Sequence, residues 1–403
     1  MTPNPKGLKI ETPRYADAYR GVFLYHQLTY FPIFVKLNHK KNISMNNLLI
    51  IGNGFDLAHD LKTSYNHFIE YLVEEQFKSN KFEEMFTLGA YISNLNELKA
   101  AIKEDSGLIV HGNFKNEFLY LLISELSTNN WCDIETEYFK QLKSKNEGSF
   151  YYNNPKKLNE DFNQIKECLA EYLKEEEIKT ISIESYRDMF RLLDDFQTTI
   201  LNFNYTNTLK YLYSNEIQSS KIIHIHGELS NPKDNPIIFG HSVDEIQLKT
   251  LIDKGNEYME NIKDSLYNYN DNKQSLIERL DNLESINILL LGHSFGLFDK
   301  QILNEILNHK NTESITNFYY EDYKGYYKIQ INMHRIIGKE NIHKLIAFNS
   351  SHRMPQHDDT PEQQEAFINY FKPICEARKD KRHRAILERL RQKNRNEMKK
   401  LIR

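Results

Sequence analysis

The stretch Asn46–Asp60, NNLLIIGNGFDLAHD, decides how the chain reads. Leu48–Ile51 is a short unbroken apolar run, the pattern of a strand buried on both faces, and it stops at Gly52-Asn53-Gly54. Two glycines one residue apart let the backbone turn tightly with no Cβ in the way, so a ligand can approach it closely. A strand, a glycine turn and then helical sequence is how α/β proteins present backbone N–H groups to a phosphate. The dinucleotide pattern GxGxxG is incomplete, because Leu57 stands where its third glycine would be. Taken alone, the turn is balanced between nucleotide binding and a plain strand-to-helix turn.

Outward from this turn, Phe55–Leu61 reads as a short helical turn and Ser64 as the cap of a second helix. The apolar face of that helix is Tyr65, Phe68, Ile69, Leu72, Val73 and Phe77. Residues 78–196 are expected to form a large, mostly helical insertion, with helical spacing over Asn116–Leu126 and Leu158–Tyr172. Inside it, Trp131-Cys132-Asp133-Ile134-Glu135 favours a capped helix start with Trp131 as a core anchor. Its rival is a lid whose two acids line a pocket over the glycine turn. Strand signals follow at Thr198–Phe203, Lys221–Ile225, Ile237–Phe239, Ile286–Leu291, Phe318–Tyr320 and Leu345–Phe348. Helical sequence separates them at Tyr258–Leu283, Asp299–Leu307 and Tyr326–Ile337. Buried-type strands alternating with helices predict an α/β protein with a parallel sheet covered on both faces.

The flanks differ from this body. Residues 1–44 carry three early prolines, an aromatic cluster at Tyr25–Phe34 and a basic end at Lys36–Lys41, directly before Met45. They are expected to be an extension upstream of a domain that starts at Met45, with an aromatic arm packed on the body as the rival. The domain then runs over 45–348, and 349–403 forms a basic helical C-terminal tail whose helix starts at Thr360-Pro361-Glu362. Ile374–Arg403 holds twelve Lys and Arg against four Asp and Glu. A solvated helix is the weightier reading of that run, and contact with RNA, DNA or a partner the lighter one.

Composition bounds the function. With 403 residues, 40% hydrophobic and 27% charged, the chain has the balance of a globular protein. A net charge of −4 argues against a nucleic-acid binder overall, leaving only the tail for that role. Three scattered cysteines, Cys132, Cys168 and Cys375, build neither a four-cysteine zinc site nor a disulfide framework, which points to a reducing cytoplasm and no metal. No apolar run approaches the roughly 18 residues that span a membrane, and the N-terminus lacks a basic-then-apolar signal peptide.

Four strand ends share small polar residues and a Gly or Asn turn: Gly52–Gly54, Asn202–Thr206, His226-Gly227 and Gly292–Ser294. Ligands of open parallel sheets bind beyond the carboxyl ends of the strands, so these turns are expected to converge on one crevice. There the Asn204 amide can hold a water or a ribose hydroxyl. His226, with an ordinary pKa of about 6.5, can act as a general base.

GNGFDLAHDLKTSY at Gly52–Tyr65, NFNYT at Asn202–Thr206, HIHGEL at His224–Leu229 and LGHSFGLFD at Leu291–Asp299 occur in this order. Together, with NWCDIE at Asn130–Glu135, they resemble the AbiH family of bacterial abortive-infection proteins over roughly 45–348. That family is in turn similar, more distantly, to the sirtuin-like (DHS-like NAD/FAD-binding) fold. The resemblance implies that Gly52 and Gly54 form the phosphate loop, with Asn53 and Asp56 also among the nucleotide-binding residues. It also implies that Asn204 meets the nicotinamide ribose, that His226 is catalytic and that Gly292 and Ser294 lie near the adenosine ribose. Thr206 departs from it, since sirtuins carry Asp there, and the four-cysteine module of the deacylases is missing. The nearer comparison is with sirtuin-like defence effectors that cleave NAD. NAD is then expected as substrate or ligand rather than as a permanently bound cofactor, with a phage-derived trigger and a homo-oligomer as partners. A non-catalytic nucleotide sensor of infection and a nucleic-acid-targeting toxin are the alternatives; no acidic metal cluster supports the latter.

Overall fold

The apolar run that opens the reading is the middle strand of the molecule. β1 (Asn46–Ile51) lies at the centre of a five-stranded, all-parallel sheet in the order β3-β2-β1-β4-β5. Its companions are β2 (Gln197–Asn202), β3 (Lys221–His224), β4 (Ile286–Leu291) and β5 (Thr312–Phe318). The computed structural model describes residues 46–401 apart from 90–91, 105–112, 130–132, 144–151, 153, 180, 195–196 and 321. The expected extension over 1–44 and the Trp131 anchor lie outside the described residues.

β1 does not alternate because it has no solvent face. Leu48 and Ile50 point into one core with Leu201, Ile223, Ile288 and Leu290, covered by α11 (Asn272–Asp281), α12 (Lys300–Leu307) and α13 (Tyr323–His334). Leu49 and Ile51 point into the other with Ile200, Leu289, Leu291 and Phe318. That face is covered by α1 (Asn53–Ala58), α7 (Glu184–Asp194), α8 (Thr208–Tyr213) and the start of α14 (Pro361–Leu401). Pro361 opens α14 as its sequence predicts, and Phe367 and Phe371 stack around Phe318, with ring centroids 5.3 and 5.4 Å away.

A third core belongs to the insertion. α2 (Tyr65–Ser79), α3 (Leu95–Glu104), α4 (Glu117–Asn129), α5 (Ile134–Lys143) and α6 (Pro155–Glu176) pack together around Phe68, Phe118, Tyr138 and Phe162. Ser64 caps α2, accepting from the His67 N–H at 3.3 Å. Leu229 and Phe239, from the loop after β3, enter this core too.

Several expected elements differ. Phe77 is exposed, so the buried face of α2 ends with Val73 and Gln76. Ile237–Phe239 is not a strand; it follows Pro236, and its one ladder-like bond runs from the Ile238 N–H to the His226 carbonyl, 2.8 Å. Phe239 fills the helical core instead, stacking on Phe162 at 5.1 Å. The fifth strand is the polar-looking Thr312–Phe318 rather than Phe318–Tyr320, its β-branched Thr312, Ile315 and Thr316 carrying the pairing. Leu345–Phe348 makes one isolated bridge, Leu345 with Ile315. Tyr258–Leu283 breaks into short pieces, of which α10 (Lys263–Leu266) and α11 are α-helical; α9 (Glu245–Ile252) precedes them. Among the described residues no helix is long and apolar enough to cross a membrane.

Register puts the strand ends in a row. Ile51 pairs with both Asn202 and Leu291, Asn202 with His224, and Leu291 with Phe318. The chain winds outward from β1 in both directions, so the strand order reverses between β1 and β4, where the Gly52 and Gly292 turns leave the sheet. These turns touch backbone to backbone. The Gly52 N–H donates to the Leu291 carbonyl at 2.9 Å and the Gly54 N–H to the Gly292 carbonyl at 2.8 Å. A Cβ on Gly54 would lie 2.7 Å from the Gly292 Cα, and one on Gly52 2.6 Å from the His293 Cα. Gly292 itself has φ +70, the left-handed region. The closeness these glycines permit is therefore closeness of two chain segments.

Gly54→Ala tests that constraint. Alanine is the better helix former by about 0.8–1 kcal/mol, but its Cβ meets backbone that cannot rotate away. A net loss of about 1–3 kcal/mol is expected in denaturant unfolding. Gly89→Ala, whose Cβ would have nothing within 4 Å, serves as the neutral control.

Candidate functional site

Above the row of strand ends, Phe203 joins three of the turns. Its ring centroid lies 4.9 Å from that of His226, after β3, and 4.3 Å from that of His293, after β4. The four turns named from the sequence thus share one edge of the sheet. Asn204 ties two of them together: its N–H donates to Asn202 Oδ1 (3.0 Å) and its Nδ2 to the Gly52 carbonyl (3.2 Å).

His226 opens a buried chain of charge. Its Nε2 is 3.0 Å from Asp299 Oδ1 and 2.9 Å from the Tyr267 hydroxyl. Asp299 Oδ1 accepts from Lys263 Nζ at 2.9 Å, and Lys263 Nζ also reaches Glu135 at 3.0 Å. Glu135 Oε1 accepts from the Gly240 N–H at 2.9 Å. His293 Nδ1 accepts from the Phe295 N–H at 3.0 Å, so Nε2 carries the hydrogen of that ring, facing Asp299 Oδ2 at 3.6 Å. Asp299 occupies the N-cap position of α12 without capping it, because its carboxylate is turned into this chain.

Burial and pairing set the protonation states. Burial raises Asp299, but Lys263, His226 and His293 outweigh it and hold the carboxyl well below the usual carboxylate range. Burial alone would strip the Lys263 proton; the Asp299 and Glu135 carboxylates reverse that and raise the ammonium above its ordinary value. Glu135 is pushed up by burial, against the pull of Lys263. His226 is lowered by burial and by Lys263, opposed by Asp299 and by the Phe203 backbone, and is neutral at pH 7. His293 is lowered to about 4 by burial.

A second buried polar group belongs to α1 itself. Asp56 is buried, and its Oδ2 accepts from the Thr206 hydroxyl at 2.5 Å while Oδ1 has no hydrogen-bond partner among the described residues. Burial raises its pKa to about 6, against the Thr206 hydrogen bond that lowers it. The side-chain O and N of Asn207 are also buried without partners among the described residues, although its N–H donates to Glu177 at 3.0 Å.

The sequence-derived residues divide accordingly. Gly52, Gly54, Asn204, His226 and Gly292 meet at the strand ends, and Asp56 lies beneath. Asn53 points elsewhere, accepting from the Thr63 hydroxyl at 2.6 Å and donating to the Thr63 carbonyl at 3.2 Å. Ser294 is exposed, its carbonyl accepting from Asn332 at 3.0 Å. Sequence reasoning missed Lys263 and Tyr267, which sit in an unremarkable charged stretch. It passed over Asp299, which stands as the first residue of the helical stretch Asp299–Leu307. Of the NWCDIE acids, Asp133 does cap α5, accepting from the Thr136 N–H at 2.9 Å, while Glu135 enters the buried chain. Among the described residues no group of three or more His, Cys, Asp or Glu is placed to hold a metal ion.

Residues 48–321 match the family described as bacteriophage abortive infection AbiH. No curated protein matches the chain.

Two variants probe the electrostatics. Lys263→Met leaves two buried carboxylates facing each other. A loss of about 3–5 kcal/mol is expected near pH 8. Part of it returns as the pH falls toward 5, because the folded variant then binds more protons than the unfolded chain. Asp56 has the opposite sense to a paired carboxylate. Its folded pKa of about 6 exceeds the ordinary 3.8, so the stability it allows is complete below pH 3.8 and is lost as pH rises through 6. The cost at pH 7 is about 3 kcal/mol. Asp56→Asn should therefore gain on the wild type as unfolding is followed from pH 4 to pH 8; parallel curves would disprove the assignment.

Proposed function

The chain belongs to the AbiH family of bacteriophage abortive-infection proteins, and on that premise we propose that it acts by cleaving NAD, or a related nucleotide, at the nicotinamide–ribose bond. The observation that carries the reading is the His226–Asp299 pair, joined to Lys263 and Glu135, beside the point where the strand order reverses. Open α/β sheets bind nucleotides in the crevice at such a switch point. The sirtuin-like identity of the fold is part of the same proposal.

In the proposed step the bond between ribose C1′ and the nicotinamide nitrogen breaks, nicotinamide leaves as a neutral molecule, and water adds to the oxocarbenium-like carbon. The proton released by that water goes to His226. Asp299 can only accept, so Nε2 holds the hydrogen of the neutral ring and Nδ1 is the basic nitrogen. Once protonated, the ring has the Asp299 carboxylate at its Nε2–H, and the nearby Phe203 backbone also favours the imidazolium. Asn204, fixed to the Gly52 turn, would orient the ribose or the water. Gly52, Gly54 and Gly292 hold the two turns together. His226, Lys263 and His293 are all buried, so substrate entry requires the surrounding loops to part.

Chromatography of NAD incubated with the protein tests this. Nicotinamide and ADP-ribose should appear with the wild type and fall by about 10²–10⁴ in rate with His226→Ala. If NAD raises the Tm but no nicotinamide is released, the crevice serves a nucleotide sensor. If neither occurs, the NAD reading fails and the defence role alone remains.

A further inference from the structure

The face of α13 turned to solvent is unlike the rest of the surface. Tyr323 is 56% exposed, Tyr327 54% and Ile331 40%, at the i, i+4, i+8 spacing of one helical stripe. Tyr320, 54% exposed, continues it N-terminally, and Phe348, 41% exposed, packs beside it. The aromatics are held rather than loose. Tyr323 lies nearly parallel to Tyr327, 17° between planes with centroids 6.1 Å apart, and meets Phe348 edge-on at 5.2 Å. Phe348 is itself gripped by Tyr319 at 5.3 Å and Tyr326 at 5.1 Å.

Cations interleave with these rings. Lys324 and Lys328 follow Tyr323 and Tyr327 directly, and Arg335 lies one turn beyond Ile331; all three are exposed. None has a carboxylate partner among the described residues. Asp322 beside them is spent on the helix N-terminus, accepting from the N–H groups of Lys324 (2.8 Å) and Gly325 (3.3 Å).

We propose that this face binds single-stranded nucleic acid, the held tyrosine rings stacking on bases while Lys324, Lys328 and Arg335 meet the phosphates. Stackable rings alternating with unpaired cations suit a chain that carries a flat base and a negative charge at every residue. A protein partner is disfavoured because interface cores are depleted in lysine. A membrane is disfavoured because the stripe is mostly tyrosine, with the lysines set among the rings rather than flanking an aliphatic face. The site is independent of the basic end of α14 and of the NAD reading. It does touch the candidate site at one point, since Asn332 of α13 donates to the Ser294 carbonyl in the turn after β4.

The test is fluorescence anisotropy with labelled oligothymidylate and oligouridylate of about twenty nucleotides, titrated with the full chain at about 50 mM salt and again at higher salt. Binding that weakens with salt is expected. Tyr323→Ala with Tyr327→Ala should weaken it by about tenfold or more, since each stacked base contributes substantially. Lys324→Gln with Lys328→Gln should weaken it and flatten the salt dependence. Both pairs are solvent-facing, and unchanged circular dichroism and Tm would show that the fold is kept. The proposal is overturned if the wild type binds neither oligonucleotide. It is equally overturned if both pairs bind as the wild type does, with charge removal from residues 378–400 abolishing binding instead. Phosphatidylserine vesicles retained by the wild type and lost by the Tyr variants, without oligonucleotide binding, would assign the face to a membrane. Self-association lost in the same way would assign it to a second copy.

Discussion

The Lys263 ammonium holds three parts of the molecule to one point. Glu135 comes from the helical insertion, Asp299 from the start of the helix after β4, and Lys263 from a short helix between β3 and β4. Taking such a charge out of water costs several kcal/mol before any partner is counted. Two carboxylates within 3.0 Å offset that cost, and the Gly240 N–H takes part of the remaining charge of Glu135. The arrangement is weak evidence for stability as such, because apolar residues of the same volume would do as well. It is better evidence for specificity: one geometry satisfies all four groups, and His226 inherits its orientation from it.

That geometry explains why the strand ends look closed. The β1 and β4 turns share hydrogen bonds and leave no space for a Cβ, Asn204 is tied to the glycine turn, and His226 is already in contact with Asp299 and Tyr267. A polar constellation so fully engaged is pre-organised, with little left to rearrange at the moment of reaction. Asp56 and Asn207 are the exceptions. Buried polar atoms left unpaired are costly, and where a protein retains them a ligand or an ordered water commonly completes the set.

Much of this was legible from the residues. The unbroken run Leu48–Ile51, cut off by a glycine turn, read as a strand covered on both faces, and Ile286–Leu291 read the same way. Small polar residues after four strands announced one crowded edge. The failures are physical as well. Thr312–Phe318 hid behind polar residues, since its β-branched members carry little hydropathy. Ile237–Phe239 looked like a strand because local pattern says nothing about which core an apolar residue will join. Lys263 carried no signal at all: a buried lysine is defined by partners far away in sequence, here Glu135 and Asp299. Asp299 was masked by its position at the start of a helical stretch, because nothing in the local pattern shows that its carboxylate faces Lys263 and His226.

The place of β1 in the sheet has a consequence for how the chain is made. Asn46 pairs with Gln197 on one side and with Ile286 on the other, so the strand at the centre of the sheet is the first of the five to be made and waits for neighbours far downstream. Between these events the helical insertion emerges, and its core is drawn from its own helices and α2, with Leu229 and Phe239 added later. It can therefore collapse during synthesis, while β1 waits with both faces and both edges uncovered. Such an apolar strand, held open until late partners arrive, is what chaperones engage and what aggregates when they are scarce. Asn46–Ile51 is thus a segment at which misassembly can begin while the rest of the sheet is still being translated.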